Sequence, residues 1–396
     1  MKKIPLFAGA LLALAVSTVS WTAKADDQRI HIGVLAPLTG AGGPSGPEEV
    51  RAAQKVADYI NQAGGVLGKK IQIDVEDDET NPTAGVAGAR KLIDVDHAVA
   101  ITGIWASGVA LAVRPIAIER GVAVIANGNA DAFTQGDTKG LAWRFMALGT
   151  DWGTAFGKVA NGYKPKTVAI LVMQNPFTLS FVDSFKAEVQ KSGAKIVDVV
   201  PYNPSQPSYS AEVERVFSKN PDVVFVPGYV TDFSVIARDV YRNGFTSKMI
   251  TLTHAVDPKG LGKNVSEGIA SVLPVPDPKS QTFALYRKLT GVPATSTEIF
   301  GPSVFDQVVV TALAIEAAKS TQASDFTKHF PSIVNGPGPD VFDPVEALKL
   351  IRAHKPFRYS GAYADFHFRA DGDPTHVSYG HFEAHDGENA LKEVFQ

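Results

Sequence analysis

The chain has 396 residues, of which 45% are hydrophobic and 20% charged, with a formal net charge of −3 and no cysteine. This composition is typical of a soluble globular protein large enough for two domains, and it excludes a disordered or membrane-embedded chain. The mild acidity gives no basic surface for nucleic acid, and the lack of cysteine excludes a disulfide scaffold, a thiolate metal site and a cysteine nucleophile.

Residues 1–25 are predicted to be a secretory signal peptide. Two lysines precede an apolar run over residues 4–19, and Ala23-Lys24-Ala25 supplies a small-x-small cleavage pattern. The apolar run is short for a membrane span, so export is favoured over a membrane anchor. Cleavage removes three lysines from a net charge of −3 and leaves −6. We therefore expect a free periplasmic monomer that is neither lipid-anchored nor inserted in the membrane.

The first part of the chain predicts alternating strands and helices. Strands are expected at residues 30–36, 71–75, 99–102 and 122–125, with helices between them. This alternation predicts a parallel sheet with right-handed crossovers. The last two strands end in small-residue loops around Trp105 to Gly108 and Asn127 to Asn129. Because parallel strands place such loops on one edge, where α/β sheets bind ligands, we expect a binding site there.

The same pattern repeats in the second part of the chain. Strands are expected at residues 167–173, 195–200, 223–226, 249–252 and 269–275, and further helices at 281–290, 302–319, 323–329 and 344–352. Short strands are expected near the C-terminus around the turn Asp371-Gly372-Asp373. Two α/β lobes are favoured over one large sheet, because single cores stop growing at this size. We assign residues 26–148 plus 277–356 to the N-terminal lobe and residues 149–276 plus 357–396 to the C-terminal lobe.

Motifs for catalysis and for cofactors are mostly missing. The glycine-rich loop at residues 40–46 lacks the third glycine of a dinucleotide fingerprint, and Ser107 is not in a nucleophile elbow. The histidines near the C-terminus match no metal-ligand spacing, and the acidic run at 76–79 is typical of a solvated loop. We therefore expect a binding protein, not an enzyme, with no cofactor and no metal.

Several motifs resemble the branched-chain-amino-acid-type, or Leu/Ile/Val-binding-like, periplasmic binding proteins. They occur in the family's order over nearly the whole mature chain, at Pro37-Leu38-Thr39-Gly40 and at residues 60–68, 75–78, 89–93, 107–117, 221–226 and 368–373. The resemblance implies a type I periplasmic-binding-protein fold, in which two doubly wound parallel-sheet lobes are joined by three crossings. It also implies a ligand in the interlobe cleft and the permease of an ATP-binding-cassette importer as partner.

The resemblance implies a carboxylate-binding hydroxyl at Ser107. Free N–H groups at a helix start also suit an anion, and a capping role for Ser107 is compatible with ligand binding. In the second loop, Gly128, Asn129 and Ala130 replace the family's usual residues, and its threonine falls on Ala130. Asn129 or Asp131 is a candidate substitute for the missing hydroxyl.

The resemblance further places Phe177 and Tyr229 around the ligand and puts the family's ammonium-binding acid near Thr253-His254, where neither residue is acidic. Trp105, in the same loop as Ser107, and His254 are added as candidate ligand contacts. Asp131 and Asp257 remain candidate replacements for that acid. Since a buried ammonium without a carboxylate costs several kcal/mol, we expect a small carboxylate on an apolar or aromatic body. The alternatives are a conventional branched-chain amino acid or amide binder, an exported hydrolase using Ser107 and His254, and the sensing part of a receptor.

Overall fold

The first lobe is built around a parallel sheet. The computed structural model describes residues 29–396 apart from 277–278, 294–295, 297, 366 and 376, so the predicted signal peptide lies outside the described residues. In chain order, the first elements are β1 (Arg29–Ala36), α1 (Gly46–Gln62), β2 (Lys70–Asp77), α2 (Pro82–Asp94), β3 (Ala100–Gly103), α3 (Ser107–Glu119), β4 (Ala123–Ala126) and β5 (Ala142–Arg144). The strands are ordered β2-β1-β3-β4-β5. The carboxyl ends of β3 and β4 are neighbours, as the sequence predicts.

The second lobe repeats this architecture. Its elements are α4 (Gly149–Gly162), β6 (Thr167–Met173), α5 (Pro176–Leu179), α6 (Val182–Lys191), β7 (Lys195–Tyr202), α7 (Ser210–Phe217), β8 (Val223–Phe225), α8 (Val230–Arg242), β9 (Lys248–Leu252), α9 (Pro258–Leu261), α10 (Lys263–Ser266) and β10 (Ala270–Pro274). The five strands are parallel in the order β7-β6-β8-β9-β10. Apart from Thr167, the residues of β6 are buried, which explains its unbroken apolar sequence.

The remaining elements return to both lobes. They are α11 (Gln281–Thr290), α12 (Phe300–Ala318), α13 (Ala323–Phe326), α14 (Phe330–Val334), β11 (Asp340–Val341), α15 (Pro344–Arg352), β12 (Arg358–Tyr359), β13 (His367–Phe368), β14 (Pro374–Thr375), β15 (Tyr379–His385) and β16 (Glu388–Phe395). The last two strands extend the second sheet beyond β10: β15 pairs antiparallel with β10, and β16 pairs antiparallel with β15. Among the described residues, α12 is long and apolar enough to cross a membrane, but 94% of its most apolar window is buried in the protein. It is the central helix of the first core.

Two hydrophobic cores locate the crossings between the lobes. Met146 belongs to the first core and Ala147 to the second, which places the first crossing between them. The chain returns to the first core near Leu273, at the end of β10. The third crossing differs from the sequence-based boundary at residue 357, because Phe357, Tyr359, Tyr363 and Phe368 still belong to the first core. Asp306 of α12 holds this segment by accepting hydrogen bonds from the backbone N–H groups of Ala362 and Tyr363, both at 2.8 Å. The chain therefore enters the second lobe only at about Tyr379.

Candidate ligand-binding site

The loop after β3 places Ser107 at the start of α3. Gly103 ends the strand with a φ of 84°, and Ser107 is the first helical residue after an Ala106 N-cap. The buried Ser107 hydroxyl makes no capping bond. Its oxygen instead accepts a hydrogen bond from the backbone N–H of Ala130 at 3.1 Å. Ser107 thus joins the two loops that the sequence predicts to be neighbours, and its O–H remains able to donate to a ligand.

Gly128 allows the second loop to pack directly on the first. A Cβ atom at Gly128 would lie 3.1 Å from the Cα of Ser107 and 3.2 Å from the Cβ of Ala110, closer than side chains ordinarily pack. Its backbone N–H also donates to the carbonyl of Ile104 at 3.1 Å. The predicted residues Ser107, Gly128 and Ala130 are therefore brought together by backbone and side-chain contacts.

Arg144, at the end of β5, holds the second loop from behind. Its fully buried guanidinium donates to the carbonyl oxygens of Gly128 at 2.8 Å and Ala130 at 3.0 Å. It also pairs with the buried Asp373 carboxylate at 2.8 Å. The sequence analysis missed Arg144, since residues 131–150 have no clear periodicity. The sequence feature that could have indicated its structural role is a single arginine within an otherwise apolar stretch.

Asn127 anchors the same loop to the helices of the first lobe. Its Nδ2 donates to Glu49 Oε1 at 2.7 Å, and its Oδ1 accepts from Ser303 Oγ at 2.6 Å and Gln307 Nε2 at 2.8 Å. Burial raises the pKa of the Glu49 carboxyl well above its ordinary value, against the lowering effect of the Asn127 bond. Burial thus favours the neutral form of Glu49, which serves as a structural partner of Asn127.

Aromatic side chains from the two lobes meet in front of these loops. The Trp105 ring lies 5.1 Å from that of Tyr229 and 6.4 Å from that of His254, and Phe177 stacks on Tyr229 at 6.0 Å. The structure thus brings together all four predicted aromatic residues. It adds Phe300, whose ring lies 5.9 Å from Trp105.

Trp152 also belongs to this aromatic group, although the sequence analysis did not select it. Its ring lies 6.4 Å from His254 and 5.9 Å from Phe177. Burial lowers the pKa of His254 to about 4, so its imidazole is neutral at pH 7. A neutral imidazole provides one donor and one acceptor and does not supply the positive charge that would attract a carboxylate.

Asn129, Asp131 and Asp257 are the candidate replacements for the family's missing hydroxyl or acid. In the structure, each of these side chains forms hydrogen bonds with other parts of the protein. Asn129 donates to the carbonyl of Ala147, and Asp131 bonds the hydroxyl and the backbone N–H of Thr150 at the start of α4. Asp257 caps α9 by accepting from the N–H of Gly260 at 3.0 Å. These contacts give each of the three side chains a structural role in the protein.

A cavity of about 760 Å³ extends from His254 and Phe300 along the boundary between the lobes. Glu48 and Glu298 of the first lobe and Asp257 and Glu388 of the second are among its lining residues. Burial, together with the nearby Glu298 charge, raises the pKa of Glu48 to about 8, so this carboxyl is largely neutral at pH 7. Within the described ranges, no group of three or more His, Asp or Glu residues is placed to hold a metal ion.

Comparison with curated relatives identifies similar binding proteins. The chain is 29% identical to an amino acid binding protein of Pseudomonas aeruginosa over 249 residues, which are 62% of this chain and 66% of the relative. It is 28% identical to the Leu/Ile/Val-binding protein BraC3 of Rhizobium johnstonii over 307 residues, 75% of this chain and 81% of the relative. These relatives are substrate-binding proteins, which confirms the prediction that the chain is not an enzyme.

Solved structures confirm the predicted fold. A leucine-binding protein LivK from Thermotoga maritima matches with a TM-score of 0.77 at 20% identity, covering 92% of this chain and 98% of that one. An ABC transporter solute-binding protein from R. palustris, in complex with 4-hydroxybenzoate, matches with a TM-score of 0.75 at 17% identity, covering 93% and 97%. The fold is the type I periplasmic-binding-protein fold with two parallel-sheet lobes.

A sequence model of a protein family matches most of the chain in one continuous range. The family is described as periplasmic binding protein, and the match covers residues 29–379, which include both lobes and the three crossings. Members of this family act in the periplasm or elsewhere outside the cytoplasm, and the relatives are small-molecule-binding components of ABC transporters. The chain therefore belongs to the periplasmic binding protein family, of the branched-chain-amino-acid type.

Proposed function

We propose that this protein captures a small carboxylate-bearing solute, an amino acid or a related organic or aromatic acid, between its two lobes. The position of Ser107 carries the proposal. This buried hydroxyl starts α3, accepts from the Ala130 N–H and keeps its own proton for a ligand oxygen. The adjacent helix start favours an anion.

The body of the solute is proposed to pack on the aromatic side chains that face one another across the cleft. Trp105 of the first lobe and Phe177 and Tyr229 of the second provide flat apolar surfaces. His254 adds a neutral polar group. Known ligands of related proteins support this class, since 4-hydroxybenzoate in the R. palustris protein joins a carboxylate to an apolar ring.

Delivery to the permease of an ATP-binding-cassette importer is the second part of the proposal. A solute that contacts both lobes stabilises the closed arrangement over the open one, and the closed form is what the permease would recognise. We further propose that residues 1–25 direct export and are removed. Because the sequence has no cysteine to carry a lipid, the mature protein would be free in the periplasm. A monomer is the state that we propose for it.

A conventional branched-chain amino acid binder is a second candidate, and Asp78 favours it. The Asp78 side chain is buried at the carboxyl end of β2, and its Oδ2 has no hydrogen-bond partner among the described residues. Its charge acts on Tyr229, where it adds to the larger effects of burial and of the Asp232 charge in raising the pKa of the phenol. An ammonium group bound beside Tyr229 would have Asp78 as its partner.

A thermal-shift screen of the purified protein tests the proposal. The panel contains amino acids, aromatic acids, dicarboxylates and uncharged amides, and each is also incubated with the protein and checked for turnover. We expect at least one carboxylate to raise the melting temperature without being converted, because a ligand that binds only the folded state stabilises it. Stabilisation by amides alone, or conversion of a compound, would contradict the proposal.

A further inference from the structure

His254 lies between two tryptophans that come from opposite lobes. Its ring is 6.4 Å from Trp105 of the first lobe and 6.4 Å from Trp152 of the second. Phe300 contacts it from a third side, with the ring centroids 6.2 Å apart. The imidazole is therefore enclosed by rings. It lies on the boundary between the lobes, where His254 and its neighbour Thr253 both line the cavity of about 760 Å³.

The polar atoms of this group share an unusual property. Both His254 nitrogens and the indole N–H groups of Trp105 and Trp152 are buried without a hydrogen-bond partner in the part of the chain that the structure describes. Leaving a buried polar group unpaired destabilises the folded protein, because the group loses its hydrogen bonds to water. Four such atoms within one cluster point to a ligand group that satisfies several of them at once, because buried polar groups in folded proteins are otherwise almost always paired.

The chemistry of these atoms selects an acceptor. Indole nitrogens can only donate, and a neutral imidazole donates from one nitrogen, so the cluster offers three donors and a single acceptor. An ammonium group donates only and would leave both indole N–H groups unpaired. A carbonyl, hydroxyl or carboxylate oxygen can accept from two of the donors.

We propose that the ligand carries a second oxygen, besides the carboxylate at Ser107, that is received by Trp105, Trp152 and His254. This inference rests on the proposed function and narrows its solute class to oxo, hydroxy or dicarboxylic acids, in preference to amino acids. Trp152 and His254 then determine specificity, and neither has another polar role in the described residues.

Matched ligands test the inference. Calorimetric titration compares 4-methylpentanoate with its 2-oxo analogue and with leucine, which share one carbon skeleton, and compares benzoate with 4-hydroxybenzoate. We expect the oxygen-bearing compound of at least one set to bind ten-fold or more tightly than its parent, and leucine to bind more weakly than the 2-oxo acid. If the parents bind as tightly, or leucine binds best, the inference fails while the proposed function stands. If no carboxylate binds, both fail.

Tryptophan variants provide the second arm. Trp152→Phe keeps the ring that stacks on Phe181 but removes the N–H. It should reduce the preference for the oxygen-bearing compound over its parent at least five-fold. Trp143→Phe is the matched control, because the Trp143 N–H is already paired with the Gly140 carbonyl at 2.9 Å. An unchanged preference in Trp152→Phe would overturn the role of Trp152.

Indole N–H signals give a readout that a purely structural role would not move. In a ¹H–¹⁵N spectrum, each tryptophan signal is assigned by its Trp→Phe variant. On addition of the tightest-binding compound, the Trp105 and Trp152 signals should move in the direction expected for a new hydrogen bond, and the Trp143 signal should stay in place. A movement of all three or of none would contradict the proposed contacts.

Discussion

Arg144 and Asp373 form a buried ion pair, with 2.8 Å between Nε and Oδ1. The pair connects two distant parts of the chain, since Arg144 also holds the carbonyls of Gly128 and Ala130 in the loop after β4, and Asp373 lies on the third crossing between the lobes. The Thr134 hydroxyl bonds the same carboxylate at 2.9 Å. One cluster of polar groups therefore fixes the positions of both the loop after β4 and the third crossing.

The Asp373→Asn variant tests this connection. It leaves the Arg144 charge buried without its partner, so we expect the free energy of unfolding to fall by about 3–5 kcal/mol. Ligand affinity should fall as well, because the loop carbonyls lose a fixed donor. Urea denaturation and calorimetric titration measure the two effects. Asp371→Asn is the control, because Asp371 lies at the exposed end of the same turn. This variant should change the free energy of unfolding and the ligand affinity only by small amounts. A loss of stability with full affinity would show that the pair does not position the loop.

The sequence predicted the fold well because strands and helices carry their own periodicity. The strand at residues 167–173 agrees with β6, and the helices at 281–290 and 344–352 agree with α11 and α15. The predicted loops after β3 and β4 are neighbours in the structure, since parallel strands align their carboxyl ends.

What the sequence could not reveal depends on contacts between distant residues. Arg144 and Asp373 are separated by more than two hundred positions, and nothing local in either segment indicates their pairing. Trp152 looks like an ordinary apolar residue of an amphipathic helix, and only the structure places it beside His254. The third crossing lies later than the expected boundary at residue 357 for the same reason, because Asp306 holds residues 359–363 against the first core through tertiary hydrogen bonds.

Ser107→Ala is predicted to weaken ligand binding more than folding. The variant removes the acceptor of the Ala130 N–H and the donor proposed for the ligand carboxylate. We expect affinity to fall about ten- to hundred-fold, since a hydrogen bond to a charged group contributes about 1.5–3 kcal/mol. Stability without ligand should fall by about 1 kcal/mol. Ser266→Ala is the matched control: this buried hydroxyl donates to Gly262 within the second lobe, away from the site. Equal effects of the two variants on affinity would contradict the role of Ser107.

Glu48→Gln is predicted to change how stability depends on pH. Burial, with the Glu298 charge, raises the pKa of Glu48 from 4.5 to about 8. The folded protein therefore keeps a proton that the unfolded chain releases above pH 4.5, so the Glu48 contribution to stability is full below that pH and is lost as the pH rises to about 8. The slope is about −1.4 kcal/mol per pH unit across this window.

The measurement for Glu48 is the difference in unfolding free energy between the variant and the unmodified protein, taken by urea denaturation from pH 4.5 to pH 8. Glutamine has no proton to lose, so Glu48→Gln should gain stability over the unmodified protein as the pH rises. Glu346→Gln, an exposed glutamate in α15, controls for the change of net charge. A difference that does not vary with pH would show that Glu48 ionises normally in the folded protein.

Gly153→Ala is predicted to destabilise the second lobe. Gly153 lies where α4 packs against the start of α6, and an added Cβ would lie 2.0 Å from Ser184 Oγ and 2.3 Å from the backbone oxygen of Phe181. The serine can rotate away, but the backbone oxygen cannot, so the two segments must separate. Alanine favours a helix over glycine by about 1 kcal/mol, and this gain is smaller than the expected overpacking cost of about 1–3 kcal/mol.

Gly162→Ala is the matched control for Gly153→Ala. It lies at the end of the same helix, and among the described residues its added Cβ would approach no atom outside its own helical turn within 4 Å, so only the helix preference acts. We expect the control to be neutral or slightly stabilising and Gly153→Ala to lower the midpoint of urea denaturation. Because α4 directly follows the first crossing and carries Trp152, a shift of this helix should also weaken ligand binding. If Gly153→Ala and Gly162→Ala are equally stable, the close approach of α4 to Phe181 does not limit the side chain that position 153 can carry.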